Sequence, residues 1–181
     1  MVEVLAPGAP GGTPGTFGNE LPLVAALHLR PKPGNVPGNL RLAERTLTAA
    51  KRAHPALRWA VLPERLTTGY AGLLVVHRYA EDAEGGPNAT FFASLARRLG
   101  LYIAYGFPKR RRSGGVSDSA NLVGPLGLLL TYRKRRLVWT TDEPGVFFRA
   151  ARSRPSARAA RSSLSSSAGT SAPPRPCARP R

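Results

Sequence analysis

The apolar positions of residues 20–148 alternate between short continuous runs and wider, helix-like spacing. Five short runs predict strands, at residues 21–29, 57–62, 101–107, 121–123 and 128–132. The third run is nearly all apolar, which is typical of a strand covered on both faces. The last two flank a Gly-Pro-Leu-Gly turn and therefore predict a hairpin.

Two segments with helical spacing lie between the first three strands. The first begins after Asn35, a residue type that caps helices, with Pro37 in its first turn. Its repeated apolar positions are Leu40, Ala43, Leu47 and Ala50. The second follows Pro87 and ends at Gly100, and its inward positions are Phe91, Phe92, Leu95, Ala96 and Leu99. The order β-α-β-α-β-β-β predicts a layered α/β unit, with no clear period at residues 65–86.

The two ends of the chain differ in composition from the middle. Residues 1–19 are rich in Gly and Pro and predict a flexible leader. Residues 149–181 are dominated by Arg, Ser, Ala and Pro and contain no aromatic residue. Such a segment buries too little apolar area to offset the entropy of ordering it, so a disordered basic tail is predicted. Residues 20–148 are therefore expected to form the folded domain.

The formal net charge of +17 suggests a polyanionic partner. About half of that excess lies in the arginine-rich tail, and basic runs also occur at residues 109–112 and 133–136. These segments could hold nucleic acid through its phosphates at low salt, but no aromatic residue interleaves the tail for base stacking. A non-catalytic basic protein that binds nucleic acid or a partner chain is therefore kept as the alternative function, and nonspecific polyanion binding is expected in any case.

Cysteine and histidine usage limits the chemistry. The single cysteine, Cys177, excludes a disulfide framework and a structural zinc site, and the default location is the cytoplasm. The three histidines stand apart, so neither a metal nor an organic cofactor is expected. No apolar run reaches the roughly 18 residues that a membrane helix needs, so no membrane association is expected.

Eight short blocks together resemble the nitrilase superfamily of carbon–nitrogen hydrolases. In chain order they are residues 24–29, 38–40, 61–64, 68–70, 93–100, 105–108, 119–125 and 132–134. The third reads Val61-Leu62-Pro63-Glu64 and the last reads Tyr132-Arg133-Lys134. The resemblance implies an α-β-β-α sandwich, of which this chain carries the first half, and subunits that pair as a homodimer.

The resemblance also implies a mechanism in which a cysteine thiolate attacks an amide or nitrile carbon. Glu64 matches the general base that takes the thiol proton, and Lys134 matches the ammonium that stabilises charge on the substrate. Glu143 matches a second, substrate-positioning carboxylate, although Asp142 competes for that assignment. A complete form would hydrolyse a small amide, carbamoyl compound or nitrile, and the sequence does not specify which.

Three departures from the family pattern stand out. Arg65 follows the glutamate where a large apolar residue is usual, and it is expected to compete for the Glu64 carboxylate and to lower its pKa. Arg136 stands where the family usually has a histidine. The resemblance ends near Phe148, before the cysteine strand, and prolines beside Cys177 prevent a strand there. A truncated carbon–nitrogen hydrolase, inactive as given, is therefore predicted.

Overall fold

The computed structural model describes residues 22–70, 73–138 and 143–149, and the backbone alone of residues 2–5 and 73–75. Within these ranges six strands form one mixed sheet in chain order. They are β1 (Val2–Leu5), β2 (Leu23–Leu27), β3 (Leu57–Val61), β4 (Tyr102–Arg110), β5 (Val116–Gly124) and β6 (Gly127–Arg133). The helices are α1 (Val36–Ala53), a 3₁₀ helix (Leu73–Tyr79), α2 (Pro87–Leu99) and the short α3 (Glu143–Val146). Among these, no helix is long and apolar enough to cross a membrane.

The first strand corrects one prediction. β1 pairs antiparallel with β2, in a register that runs from Val2 opposite Leu27 to Leu5 opposite Val24. The flexible leader predicted for residues 1–19 is therefore wrong for these four positions. Two valines and a leucine there favour extended backbone, and β2 offers an edge on which they pair. Residues 6–19 lie outside the described part of the chain.

The parallel centre of the sheet is built from two β-α-β crossovers, since β2 pairs in parallel with β3 and β3 with β4. The predicted start of α1 is confirmed, because the Asn35 side chain accepts a hydrogen bond from the Gly38 N–H at 3.1 Å. The predicted end of α2 is also confirmed. Gly100 caps that helix with φ 63°, a left-handed conformation that favours glycine.

The predicted hairpin is confirmed and is longer than expected. β5 and β6 are antiparallel and turn between Gly124 and Gly127, but β5 begins at Val116, well before residue 121. Ser117, Asp118 and Ser119 are buried polar residues of this strand. Because these residues carry no apolar pattern, no strand was predicted there.

Helices cover one face of the sheet. Ala60, Ile103 and Val123 are register partners across β3, β4 and β5, and all three belong to the core beneath α1 and α2. The side chains of the next residues along these strands point to the other face of the sheet, and there the register partners are Val61, Ala104, Leu122 and Leu130. There Val61 is 48% exposed and Leu130 43%. The fold is therefore α/β with one helix layer and one sheet layer, as the first half of a sandwich requires.

Candidate active site

The loop after β3 carries Glu64 and is held against β4. The Leu62 N–H donates to the Ala104 carbonyl at 2.9 Å, and the Thr67 N–H donates to the Gly106 carbonyl at 3.3 Å. Between these bonds Arg65 has φ 50°, a left-handed conformation that is strained for a side chain of this size. A Cβ at position 106 would collide with the Arg65 backbone nitrogen and lie 2.9 Å from the Glu64 Cα. Only glycine lets β4 pass this close to the turn.

A second anchor fixes the same loop to α1. Asn39 is 2% exposed, and its amide nitrogen donates to the Lys32 carbonyl at 2.9 Å and to the Thr67 carbonyl at 3.1 Å. Its amide oxygen accepts from the Lys32 N–H at 2.8 Å. One buried side chain therefore ties three backbone groups of two loops to the first turn of the helix. The block at residues 38–40 thus has a structural role in holding the Glu64 loop.

Lys134 approaches the Glu64 carboxylate from the end of β6. It directly follows β6, and its N–H donates to the Asp118 carbonyl at 2.8 Å. Its ammonium nitrogen lies 2.7 Å from Glu64 Oε1 and 3.1 Å from the Glu143 carboxylate. A third carboxylate, that of Asp118, is 3.7 Å away. The two residues that the sequence singled out, Glu64 and Lys134, therefore form a direct ion pair.

Arg65 is turned away from Glu64. Its guanidinium group donates to Glu143 Oε1 at 2.9 Å and to Asp118 Oδ2 at 3.4 Å, and the residue is 5% exposed. The Phe147 ring stacks against the same group, with its centroid 4.5 Å away. The expectation that Arg65 competes for the Glu64 carboxylate is wrong, because two buried carboxylates nearby bind the guanidinium instead.

The charges explain the pKa directions of the pair. Burial opposes the negative charge of Glu64, but hydrogen bonds with Lys134 and Asp118 and the charges of Lys134 and Arg65 outweigh it, so the pKa of Glu64 is lowered. This direction agrees with the sequence prediction. Burial also opposes the charge of Lys134, yet its contacts with Glu64 and Glu143 raise the pKa of the ammonium. Both groups are therefore charged at neutral pH.

The pKa of Asp118 shifts in the opposite direction to that of Glu64. Asp118 is 2% exposed, and burial together with the negative charge of Glu64 raises its pKa to about 6, against the attraction of Arg65 and Lys134. Its carboxylate, that of Glu64 and that of Glu143 offer oxygens that all lie within 4.8 Å of one another. Arg65 and Lys134 already pair with this cluster, so its negative charge is largely balanced by protein cations and we assign no metal to it.

An open cavity of about 960 Å³ lies over the pair. Glu64, Asp118 and Lys134 line it, whereas Glu143 does not. Its apolar wall comes from the sheet face opposite the helices, at Val61 and Ala104. The remaining charged residues that line it are Arg135, Arg136 and Arg149. The arrangement therefore offers an ionised base and an ammonium group to a small molecule.

The structure brings together all three predicted site residues, Glu64, Lys134 and Glu143. Asp142, the competing assignment, and Cys177 lie outside the described residues. Asp118 was missed. In the structure Ala120 lies opposite Tyr132, and the same register carried two residues further sets Asp118 opposite Lys134. A register shift between Leu122 and Val123 produces this alignment, and the predicted hairpin contained no signal for it.

Comparison with known proteins agrees with this geometry. Residues 23–171 match the family model described as carbon–nitrogen hydrolase, a range that continues past residue 148 into the predicted tail. A protein of Pseudomonas protegens named as a hydrolase in the pqqF 5' region is 35% identical over 121 residues, 66% of this chain. A probable nitrilase of Schizosaccharomyces pombe is 28% identical over 123 residues, 63% of this chain. The chain spans 41% and 43% of the lengths of these two relatives.

Among solved structures, the fold is similar to that of Saccharomyces cerevisiae Nit3, described as a member of branch 10 of the nitrilase superfamily. The TM-score is 0.65 at 19% sequence identity, over 72% of this chain and 49% of that one. At this level of identity the similarity concerns the fold alone. It agrees with a sandwich of which the described residues form one half.

Proposed function

This chain belongs to the carbon–nitrogen hydrolase family, and we propose that residues 22–149 supply the acid–base and charge-stabilising half of an amide- or nitrile-hydrolysing site. Members of the superfamily act on amide or nitrile substrates and often oligomerise. One observation carries the proposal: the Lys134 ammonium lies 2.7 Å from the Glu64 carboxylate, and both residues line an open cavity. Family membership favours this function over the nucleic-acid alternative.

Glu64 is assigned the role of general base. Its lowered pKa keeps it ionised at neutral pH, and its side chain is 42% exposed, so it is accessible from the cavity. A free thiol has a pKa of about 8.5 and needs a base to become the attacking thiolate. Glu64 would accept that proton and then deliver it to the leaving nitrogen, so that ammonia or an amine departs neutral. Water would cleave the resulting thioester.

Lys134 is assigned the stabilisation of negative charge on the substrate oxygen or nitrogen. A protonated ammonium aimed at the reacting carbon stabilises the transition state more than the neutral substrate. Its raised pKa supports this role, since the group keeps its proton throughout the reaction. Its backbone N–H is bonded to β5, which limits how far the side chain can move.

Glu143 is assigned a positioning role. It is 5% exposed, and its oxygens accept from Arg65, from Lys134 and from the Val138 N–H at 2.9 Å. With its carboxylate committed in this way and absent from the cavity lining, it acts on a substrate by fixing the direction of Lys134. The predicted substrate-positioning carboxylate thus works through the lysine.

The attacking sulfur is not among the described residues. Cys177 is the single cysteine of the sequence, and it stands among prolines. We therefore propose that Cys177 does not act as the nucleophile, and we expect this chain to bind small amides without hydrolysing them. A cytoplasmic location and pairing of two subunits belong to the same proposal.

Binding of a simple carboxamide tests the proposal. Butyramide titrated into the 181-residue chain should shift the backbone amide resonances of residues that line the cavity, such as Ala104 and Gly106. Glu64→Gln and Lys134→Met should each abolish these shifts, since each removes a charge that orients the amide. Ammonia release should stay at the uncatalysed rate.

The matched controls are Glu44→Gln on α1 and Lys32→Met in the loop before α1, which remove charges that do not line the cavity over Glu64. They should leave the butyramide shifts intact. Shifts that persist in the Glu64 and Lys134 variants, or that occur away from the cavity, would refute the assignment of the site. Turnover that Glu64→Gln abolishes would refute the proposal that Cys177 does not act as the nucleophile.

A further inference from the structure

A second cavity, of about 470 Å³, lies beside the start of α1, and it shares no lining residue with the cavity over Glu64. Two basic side chains come from the loop before the helix, and two come from the helix itself. They are Arg30, Lys32, Arg41 and Arg45, and all four residues are exposed. Four cations from two segments of the chain therefore border one small volume.

From this clustering we propose that the second cavity binds the phosphate group of a small molecule through the four basic side chains. None of the four residues lines the cavity over Glu64, so the site is independent of the proposed function. A phosphomonoester carries close to two negative charges at neutral pH and three strong acceptor oxygens. It can therefore accept hydrogen bonds from several cations at once, whereas a carboxylate offers two oxygens and one charge.

The carboxylate that lines this cavity does not neutralise the four cations. It belongs to Glu44, and its side chain pairs with Arg98 of α2. None of the four basic side chains forms an ion pair or a side-chain hydrogen bond with another residue that the structure describes. An anion that enters the cavity therefore meets guanidinium and ammonium groups that carboxylates of the described residues leave unoccupied.

The two arginines of the helix lie close to each other. Arg41 and Arg45 are four residues apart on α1, and like charges at this spacing repel each other. A phosphate between them would remove the repulsion and could accept two parallel N–H···O bonds from each guanidinium group. Asn35 already accepts hydrogen bonds from the N–H groups of Gly38 and Asn39 at the helix start. The side-chain cations, and not the helix terminus, therefore form the site.

The second cavity lies between α1 and a loop that packs against the Glu64 loop. In that packing the Gly34 N–H donates to the Thr68 carbonyl at 2.8 Å, and Asn39 holds the backbone of Lys32. A phosphate bound to Lys32 and to the arginines of α1 would tie this loop to the helix. Opening of the bond between Gly34 and Thr68 would then be less frequent. We therefore expect slower hydrogen exchange of the Gly34 amide, which diffuse attraction of anions to a basic surface would not produce.

The size and lining of the second cavity favour a small phosphorylated molecule over a nucleic-acid strand. Its volume of about 470 Å³ falls within the range of roughly 300–1,000 Å³ that is typical of small-molecule sites. Leu42 lines it beside the cations and offers apolar surface to the organic part of the ligand. Sites for single-stranded nucleic acid add aromatic side chains that stack on the bases. No aromatic residue is among the described residues that line this cavity.

Ribose 5-phosphate, inorganic phosphate and ribose test this site. At a salt concentration of about 0.15 M, we expect the 181-residue chain to bind ribose 5-phosphate in a calorimetric titration and not to bind ribose. Arg41→Gln/Arg45→Gln keeps good helix-forming residues and should weaken phosphate binding about tenfold. Tighter binding of ribose 5-phosphate than of inorganic phosphate would assign the site to a phosphorylated molecule, and equal binding would assign it to the free ion.

The control must separate this site from general attraction to a basic protein. Arg58→Gln/Arg112→Gln removes the same charge from exposed positions that line neither cavity, and it should bind phosphate as the unchanged chain does. An equal loss of affinity in both double variants would assign binding to net charge and overturn the site. Exchange of the Gly34 amide that stays the same with ribose 5-phosphate bound would also overturn it, as would the absence of phosphate binding.

A thymidine oligonucleotide tests the remaining occupant. We expect it to bind no more tightly than ribose 5-phosphate at the same salt concentration, because the second cavity accommodates one phosphate group with a short organic part. Much tighter binding of the oligonucleotide, lost in Arg41→Gln/Arg45→Gln, would reassign the cavity to nucleic acid and overturn the small ligand.

Discussion

Lys134 shows how a single residue depends on its ionised neighbours. Three carboxylates approach its ammonium group within 3.7 Å, and Arg65 neutralises the two of them that are buried. Without the arginine, the lysine would face three negative charges, two of them buried, and would have no fixed preference for Glu64. The strained backbone of Arg65 directs its guanidinium group towards Asp118 and Glu143. The Glu64 carboxylate therefore stays accessible from the cavity.

Asp118 gives the site a pH dependence with a definite sign. Its pKa is raised from 3.8 to about 6 in the folded chain, so folding favours its protonated form. That contribution to stability is fully present below pH 3.8 and is lost as the pH rises through about 6. The charged groups around it are Glu64, Arg65, Lys134 and Glu143.

Asp118→Asn should remove this dependence, because the amide stays neutral. The free energy of unfolding of the variant, relative to the unchanged chain, should increase by about 2–3 kcal/mol between pH 4 and pH 7. Urea denaturation at both pH values measures the difference. Asp82→Asn is the control, since Asp82 stands outside the site cluster, and a similar increase in that variant would contradict the explanation.

At the scale of elements, helix-capping residues and the periodicity of apolar positions determined which helices and strands could be predicted from the sequence. α1 begins where Asn35 indicates and α2 ends where Gly100 indicates, and the parallel strands were visible as apolar runs. Two elements carried no such signal. β1 is only four residues long, and the first part of β5 is a run of buried polar residues, of which Asp118 pairs with Arg65 and Lys134. Contacts distant in sequence create that strand.

The Glu64 loop depends on α1 through one buried side chain. Asn39→Ala would remove three hydrogen bonds and leave backbone groups of Lys32 and Thr67 without their partner. We expect a loss of about 2–3 kcal/mol in the free energy of unfolding. The Thr67 amide should also lose protection against hydrogen exchange, because its bond to Gly106 relies on the same loop position.

Asn35→Ala is the matched control for that change. Asn35 caps the same helix with one exposed hydrogen bond, so its loss should cost about 1 kcal/mol and leave the exchange of Thr67 unchanged. Equal effects of the two substitutions on Thr67 would mean that Asn39 stabilises the helix and does not hold the loop.

At the scale of the whole molecule, the described residues leave part of the sheet face opposite α1 and α2 uncovered, although Val116 and Asp118 on that face are buried. Val61, Leu130 and Tyr132 are 48%, 43% and 53% exposed on the face that also holds the cavity. An apolar face of this kind is typical of a surface that packs against further structure. The chain spans less than half of the curated relatives it matches, which agrees with a sheet face that those longer proteins would cover. The family resemblance predicted this architecture because most of its blocks lie on the strands β2 to β6 and on the two long helices.

What the sequence could not provide was the mutual arrangement of the charges. The family resemblance identified each of the residues Glu64, Glu143 and Lys134 separately. Their side chains come together because of the strand order and because β4 passes close to the Glu64 loop at Gly106. The Glu64 carboxylate and the Lys134 ammonium interact directly in the structure. A titration of Glu64 can measure this interaction.

The carboxyl resonance of Glu64, assigned with Glu64→Gln, should be followed against pH in the unchanged chain and in Lys134→Met. We expect its pKa to lie below the usual value of a glutamate in the first and to be higher in the second, because burial then acts with less opposition. Arg98→Gln, which breaks an exposed ion pair with Glu44, should change nothing. A Glu64 pKa that is the same with and without Lys134 would show that the two groups do not interact, and it would contradict the site described above.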